Sequence, residues 1–211
     1  MKLYSYYRSS AAYRVRIALA LKGLSYDYRP VHLVAGGGEH LQPAYAAINP
    51  QKRVPTLELD DGTHLIQSPA ILEFLDERYP EPPLLPADPE TRAKCRAMAA
   101  IIGCDIHPLN NSSTLAYLKG PFGQDPDAVS AWYAHWVHQG FSAIEQLLGE
   151  TPFAFGEAPG MADLYLVPQV YNARRFKVPL DAFAKIVAID ARCAEIEAFR
   201  IAHPDAQPDA V

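Results

Sequence analysis

Five prolines, Pro80, Pro82, Pro83, Pro86 and Pro89, crowd residues 80–89 and divide this chain. Proline has no N–H to give a helix or a sheet and clashes with the preceding turn, so no regular element runs through such a stretch. It is expected to link two halves of different construction. Before it, two periodicities alternate. Residues 2–7 are aromatic and β-prone, 10–22 are helical up to Gly23, and 26–31 read as a strand. Residues 39–48 read as a short helix, while 54–59 and 64–66 flank the hairpin turn Asp60-Asp61-Gly62. Over 68–79, Ile71, Leu72, Leu75 and Tyr79 fall on one helical stripe. The order β-α-β-α-β-β-α is thioredoxin-like, although several α/β folds share it. After the prolines only helical periodicities occur, over 92–118, 128–148, 162–174 and 186–202, for about five helices. The expectation is an α/β thioredoxin-like N-terminal domain over 1–80, a linker over 81–89 and an all-α C-terminal domain over 90–211.

The 211 residues, 49% of them apolar, suffice for the cores of two small domains. A net charge of -5 argues against nucleic acid, which asks for a basic face. It leaves an anionic small molecule within reach of local arginines. No apolar run approaches the roughly 20 residues of a membrane span, and the first residues lack the apolar core of a secretory leader. The three cysteines form no CxxC pair, which fits a reduced, cytoplasmic protein. Gly36-Gly37-Gly38 is expected to be a mobile loop, and no Lys, Ser or Thr opens a helix after it to make a phosphate cradle. His135 and His138 lack a third ligand nearby, so no metal is expected.

Ser9 and Ser10 precede a helical run, where serine is a preferred N-cap. Two readings stay open: they only cap, or they hold an anion where free N–H groups and the positive dipole end favour one. A thiolate is such an anion, and that location lowers a thiol's pKa. Arg14, one turn on, adds positive charge. Gln67-Ser68 opens the next helix, either as a plain cap or as a carboxylate site. Val54-Pro55 is either a trans proline opening a strand or a cis turn that offers its backbone edge to a peptide. Arg8 and Arg175 are candidate carboxylate partners, since the guanidinium fork matches both oxygens; surface ion pairs are the alternative. His107 and Asn111, four residues apart, share a face of the expected long helix, with Ser113 just beyond and a kink expected at Pro108.

Three separated segments resemble the zeta-class glutathione transferases. The first is Ser9-Ser10-Ala11-Ala12-Tyr13-Arg14-Val15-Arg16. The second is Asn49-Pro50-Gln51-Lys52-Arg53-Val54-Pro55 with Gln67-Ser68-Pro69. The third is Met161-Ala162-Asp163-Leu164-Tyr165-Leu166-Val167-Pro168-Gln169-Val170, continuing to Arg175. The likeness runs from Lys2 to the Gln207-Pro208-Asp209 tail. It implies the glutathione-transferase fold, a homodimer, and glutathione as cofactor. Ser9 or Ser10 would then stabilise the glutathione sulfur, aided by Arg14, and Val54-Pro55 would pair its backbone. Gln67-Ser68 would hold the γ-glutamyl end, and His40, otherwise an ordinary surface histidine, would sit near the glycyl end. The segment carrying His107 and Asn111 would border both glutathione and substrate, and Ser113, Arg8 and Arg175 would meet a dicarboxylate.

The implied reaction is addition of the glutathione thiolate to the cis double bond of a maleyl keto-dicarboxylate, maleylacetoacetate or maleylpyruvate, then rotation and expulsion to the fumaryl isomer. Two rivals stand beside it: displacement of halide from α-haloacids by the same thiolate, and a non-catalytic binding module of the same fold. Three departures from the family pattern matter. Ala11 stands where zeta enzymes commonly carry cysteine, which disfavours chemistry needing a protein thiol there. Gly160 replaces the threonine of a helix-capping box whose Asp163 is expected to reach back to the N-cap N–H. Ser112 and Ser113 stand where relatives resembling maleylpyruvate isomerases carry arginines, which leaves recognition of the keto-acid tail open.

Overall fold

A computed structural model describes residues 1–211, which form two compact units. The first comprises Met1–Leu84 and Ala194–Val211, the second Leu85–Cys193.

In the first unit, β1 (Lys2–Ser5) buries Leu3 and Ser5, and α1 (Ser10–Leu21) follows. Then come β2 (Asp27–Pro30), the 3₁₀ turns Ala35–Gly37 and Glu39–Leu41, and α2 (Pro43–Ile48). The helix expected over 39–48 is thus split at Gln42, because Pro43, with φ preset and no N–H to lose, opens a helix of its own. The strands β3 (Thr56–Glu58) and β4 (His64–Ile66) and the helix α3 (Ser68–Arg78) complete the alternation. The sheet order is β2-β1-β3-β4, with β1 and β2 parallel and the other pairs antiparallel. The expected hairpin closes through Gly62 at φ 85, whose N–H reaches Leu59 O at 3.0 Å. Ile71, Leu72 and Leu75 bury the inner stripe of α3, which packs beside α1.

The proline stretch is no free linker at its start. The buried Lys22 Nζ donates to Tyr79 O at 2.6 Å, Pro82 O at 2.9 Å and Asp76 Oδ1 at 3.0 Å. Leu84 N donates to the same Asp76 oxygen at 2.8 Å, so the chain stays fastened to the first unit through residue 84.

The second unit is helical: α4 (Pro89–Ala100), a π-helical turn (Ile101–Ile106), α5 (Ser112–Lys119), α6 (Pro126–Leu147), α7 (Met161–Arg175) and α8 (Ala184–Ala194). The single helix expected over 92–118 is therefore broken, for a reason stronger than the expected kink. Pro108 offers no N–H, and the His107 N–H reaches Ile102 O at 2.8 Å in a π-type bond. Side chains take up the freed carbonyls: Thr114 Oγ1 donates to Pro108 O at 2.8 Å, and Trp132 Nε1 to Leu109 O at 2.9 Å. As foreseen, Asp163 Oδ2 accepts from Gly160 N at 2.9 Å, and its other oxygen accepts from Ala154 N at 3.0 Å.

The helix expected over 186–202 is also two. It stops with α8, Ile196 is extended, and α9 (Glu197–Ala202) restarts within the first unit, packed on α1 with Ala198, Phe199 and Ala202 buried. No proline or glycine marks this break; burial of those apolar side chains overrides local propensity. The C-terminal segment from Ala194, assigned by sequence to the helical domain, thus belongs with the sheet unit.

Candidate functional site

Ser9 is extended (φ -73, ψ 112) and caps α1, its Oγ accepting from Ala12 N at 3.2 Å. It closes a turn from Tyr6, with Ser9 N donating to Tyr6 O at 2.9 Å. Ser10 is the first helical residue and is buried. The cap is thus Ser9; its hydroxyl proton stays available to an anion beside the dipole's positive end. One turn on, Arg14 is 2% exposed and donates from Nη1 to Ser68 Oγ at 3.3 Å. Ser68 opens α3. A buried guanidinium thereby ties together the N-terminal ends of two helices, each already favourable to negative charge. Arg16, two residues along, is instead structural: its donors go to Ala202 O, Ser5 Oγ, Tyr6 O and Tyr7 O.

Gln67, at the α3 N-cap, has φ 69 and ψ 115, a conformation side-chain-bearing residues rarely adopt. Its Nε2 donates to Gln51 Oε1 at 2.6 Å, joining the two ends of the second sequence motif. The Val54–Pro55 peptide is cis. The turn before it is held by two residues to which sequence reasoning gave no role. Tyr45 Oη donates to Arg53 O at 2.8 Å, and Asn49 Nδ2 donates to the same carbonyl at 2.7 Å. Both side chains also meet Thr56 Oγ1, at 2.9 and 3.2 Å. Asn49 opens the second segment of the resemblance, directly ahead of Pro50, but nothing in that segment shows which carbonyl its amide would hold.

His40 lies on the 3₁₀ turn after the glycine run. Its Nδ1 is buried without a hydrogen-bond partner, and burial holds the imidazole's pKa below its ordinary value, keeping it neutral. Gly38 has φ 95, and a Cβ there would come within 2.7 Å of His40 Cε1, so only glycine lets the ring lie where it does. The first unit thus offers hydroxyls, helix N-termini, a buried cation and an orphaned imidazole nitrogen. That donor set fits glutathione, an acidic tripeptide with carboxylates at both ends and a sulfur between.

Arg8 is exposed, its guanidinium 4.9 Å from the centre of the Tyr7 ring. The remaining candidates lie in the second unit. His107 follows the π turn, whereas Asn111 caps α5, so the two do not share a continuous helical face. Asn111 Oδ1 accepts from Ser113 N at 3.1 Å and Ser113 Oγ at 2.9 Å, which makes these two one local cap. Arg175 ends α7, exposed, with its guanidinium 4.7 Å from the Phe176 ring centre. Phe176 in turn stacks on Tyr133 at 3.9 Å. Burial pushes the Tyr133 hydroxyl up to about 12, against the pull of Arg175, so it stays protonated as a donor.

The family model for the glutathione S-transferase N-terminal domain matches residues 3–83, and that for the C-terminal domain matches residues 126–204. A maleylacetoacetate isomerase of Pseudomonas aeruginosa is 57% identical over 209 residues, 99% of this chain and 98% of that one. The holo structure of a maleyl pyruvate isomerase, described as a bacterial zeta-class glutathione S-transferase, superposes with a TM-score of 0.96 at 52% identity over all of both chains. A maleylacetoacetate isomerase from Anaeromyxobacter dehalogenans, with glutathione bound in its active site, superposes with a TM-score of 0.89 at 45% identity, over 100% of this chain and 97% of that one.

Proposed function

The chain belongs to the zeta class of the glutathione S-transferase family, and on that premise we infer that it is a glutathione-dependent isomerase. It converts the cis double bond of a maleyl keto-dicarboxylate, maleylacetoacetate or maleylpyruvate, to the trans, fumaryl form. The observation that carries this reading is the Ser9-capped start of α1, joined to the start of α3 by the buried Arg14–Ser68 contact. When bound, glutathione supplies a thiolate able to add reversibly to the double bond and so permit rotation.

The chain's own residues keep that sulfur charged and the carboxylates still. Ser9 donates its hydroxyl proton toward the sulfur, beside the α1 N–H groups, while Arg14 adds positive charge behind it. Ser68 and the Gln67 backbone receive the γ-glutamyl carboxylate, Val54 pairs the tripeptide backbone, and His40 meets the glycyl end. Arg8, at the turn leading into α1, and Arg175, on its aromatic shelf, each present a fork to a substrate carboxylate. His107, Asn111 and Ser113 supply polar groups that border the reactants. The three free cysteines fit a reduced, cytoplasmic place, and no helix is long and apolar enough to cross a membrane. Family likeness supports a homodimer.

Mixing the purified protein with glutathione and maleylpyruvate should change the enone absorbance in a glutathione-dependent way, as the cis enone becomes the trans one. Absence of that change with both maleyl substrates, together with halide release from an α-haloacid, would transfer the assignment to a displacement reaction. The half-buried Ala11, which lacks a thiol, speaks for isomerisation over chemistry that needs a protein cysteine.

A further inference from the structure

The turn that leads into Ser9 is fastened by the end of the chain. With Ser9 N bonded to Tyr6 O, Tyr7 and Arg8 are the central residues of that turn, and the Tyr7 N–H is left without a partner inside it. Tyr7 is 2% exposed, so the group needs an acceptor from within the protein. Asp209 supplies it: Oδ2 accepts from Tyr7 N at 3.1 Å, and Oδ1 accepts from Tyr28 Oη at 2.6 Å. The opposite polarity is met by Arg16, whose Nη2 donates to Tyr7 O at 3.0 Å and whose Nε donates to Ala202 O at 2.9 Å. Asp209 also bears on Arg16 electrostatically. Around these bonds, Ala210 packs against the cluster of Tyr6, Tyr7, Val31, Tyr45 and Val54. Gln207 Nε2 secures the tail to Ile201 O and His203 O at 2.8 and 2.9 Å. The peptide bonds on both sides of Tyr7, directly before the Arg8-Ser9 pair, are thus held by groups tied to residues 202–210.

We propose that Asp209 is a positioning residue for the thiolate site: its carboxylate fixes the Tyr6–Ser9 turn, and with it the Ser9 cap and the Arg8 side chain. This rests on the isomerase reading for its reaction but not for its geometry. A carboxylate suits the task better than a neutral acceptor, because its bond to a buried N–H is charge-assisted and its charge offsets the buried Arg16. Displacement of a reacting group by about an ångström is enough to cost on the order of a hundredfold in rate.

The test compares the full-length chain with Asp209→Ala, Asp209→Glu and Tyr28→Phe. It measures kcat, KM for glutathione and for maleylpyruvate, thermal unfolding, and the thiol titration of bound glutathione followed by thiolate absorbance. Asp209→Ala is expected to lower kcat by roughly ten- to a hundredfold and to raise the pH at which the bound thiol ionises. Asp209→Glu, which keeps an acceptor, should recover part of both. Tyr28→Phe leaves the Tyr7 bond in place and should hold kcat within about twofold even where it lowers Tm. If Asp209→Ala does not fold, the isosteric Asp209→Asn takes its place, with a smaller loss in the same two readouts. A wild-type kcat and thiol titration in the Asp209 variants would overturn the proposal, as would a fall in kcat that tracks Tm equally in Tyr28→Phe. Absence of isomerisation by the wild-type chain would overturn the assigned reaction alone, and the thiol titration would still decide for or against Asp209.

Discussion

Ser9 combines two duties that alanine would remove together. As N-cap it satisfies Ala12 N, and loss of such a cap costs about 1 kcal/mol. As the hydroxyl beside the sulfur it acts in the way of a pre-aligned donor, whose loss typically lowers kcat by on the order of 10²–10³. Ser9→Ala should therefore unfold only a little earlier in urea yet lose most of its isomerase turnover, whereas Ser10→Ala, at a buried helical position, should keep more of it. Equal turnover losses in both variants would remove Ser9 from its assigned role. These serines were legible in the sequence because a helix start is a local signal, read within a few residues. So were Gln67 and Ser68. Arg14 and Arg16 show where local signals end: they lie two apart on one helix, yet one faces a helix N-terminus and the other is consumed by four groups of the chain itself. Nothing in the spacing separates them. The resemblance reaches Asp209 but gives it no role, for the same reason: its partner Tyr7 lies 202 residues away.

Among the elements, the break at Ile101–Ile106 is the most instructive, because periodicity alone ran one helix straight through it. Pro108 announced a disturbance, but the π turn also depends on close packing. A Cβ on Gly140 of α6 would stand 2.3 Å from Ile106 Cδ1 and 2.6 Å from its Cγ1. Gly140→Ala should push α6 off this turn and cost about 1–3 kcal/mol of stability, measurable as a lower urea midpoint. An unchanged midpoint would show that the turn has room to move. The α7 cap makes a different kind of prediction. Burial pushes the Asp163 carboxyl up to about 6 from 3.8, against the opposing pull of the Gly160 and Ala154 N–H groups. Between those values the folded chain holds a proton that the unfolded chain has released, so stability falls as pH rises through the window, by roughly 3 kcal/mol in all. Denaturation at a series of pH values should show that slope in the wild type and a flatter one in Asp163→Asn, whatever the constant cost of the lost acceptor. Parallel slopes would mean that Asp163 is as readily ionised folded as unfolded. The reach of Asp163 to the Gly160 N–H is legible in the sequence because the two lie three residues apart, while its second bond, to Ala154 N, depends on how the fold brings the preceding loop to the helix start.

Across the molecule, the chain leaves the sheet unit at Leu84 and re-enters it at Ala194, a return that no composition shift announces. The prolines mark where one periodicity gives way to another. They carry no information about which core the last residues join, because that is decided by burial of Ala198, Phe199 and Ala202 against α1 and by the bonds of Arg16 to Ala202 O and of Tyr7 to Asp209. If those contacts belong to the unit's structure, a chain ending at Cys193 lacks part of its first unit while its second is complete. Arg16 would lose its Ala202 acceptor and α1 the apolar cover on one flank, leaving a buried charge short of a partner, a defect that commonly costs about 3–5 kcal/mol. Hydrogen exchange on the chain of residues 1–193 should then show lost protection across β1, α1 and β2, with α6 and α7 still protected, and glutathione, expected to raise the Tm of the full chain, should fail to raise that of the shortened one. Full protection of α1 in the shortened chain would mean that the sheet unit is complete at Leu84 and that the C-terminal segment only decorates it.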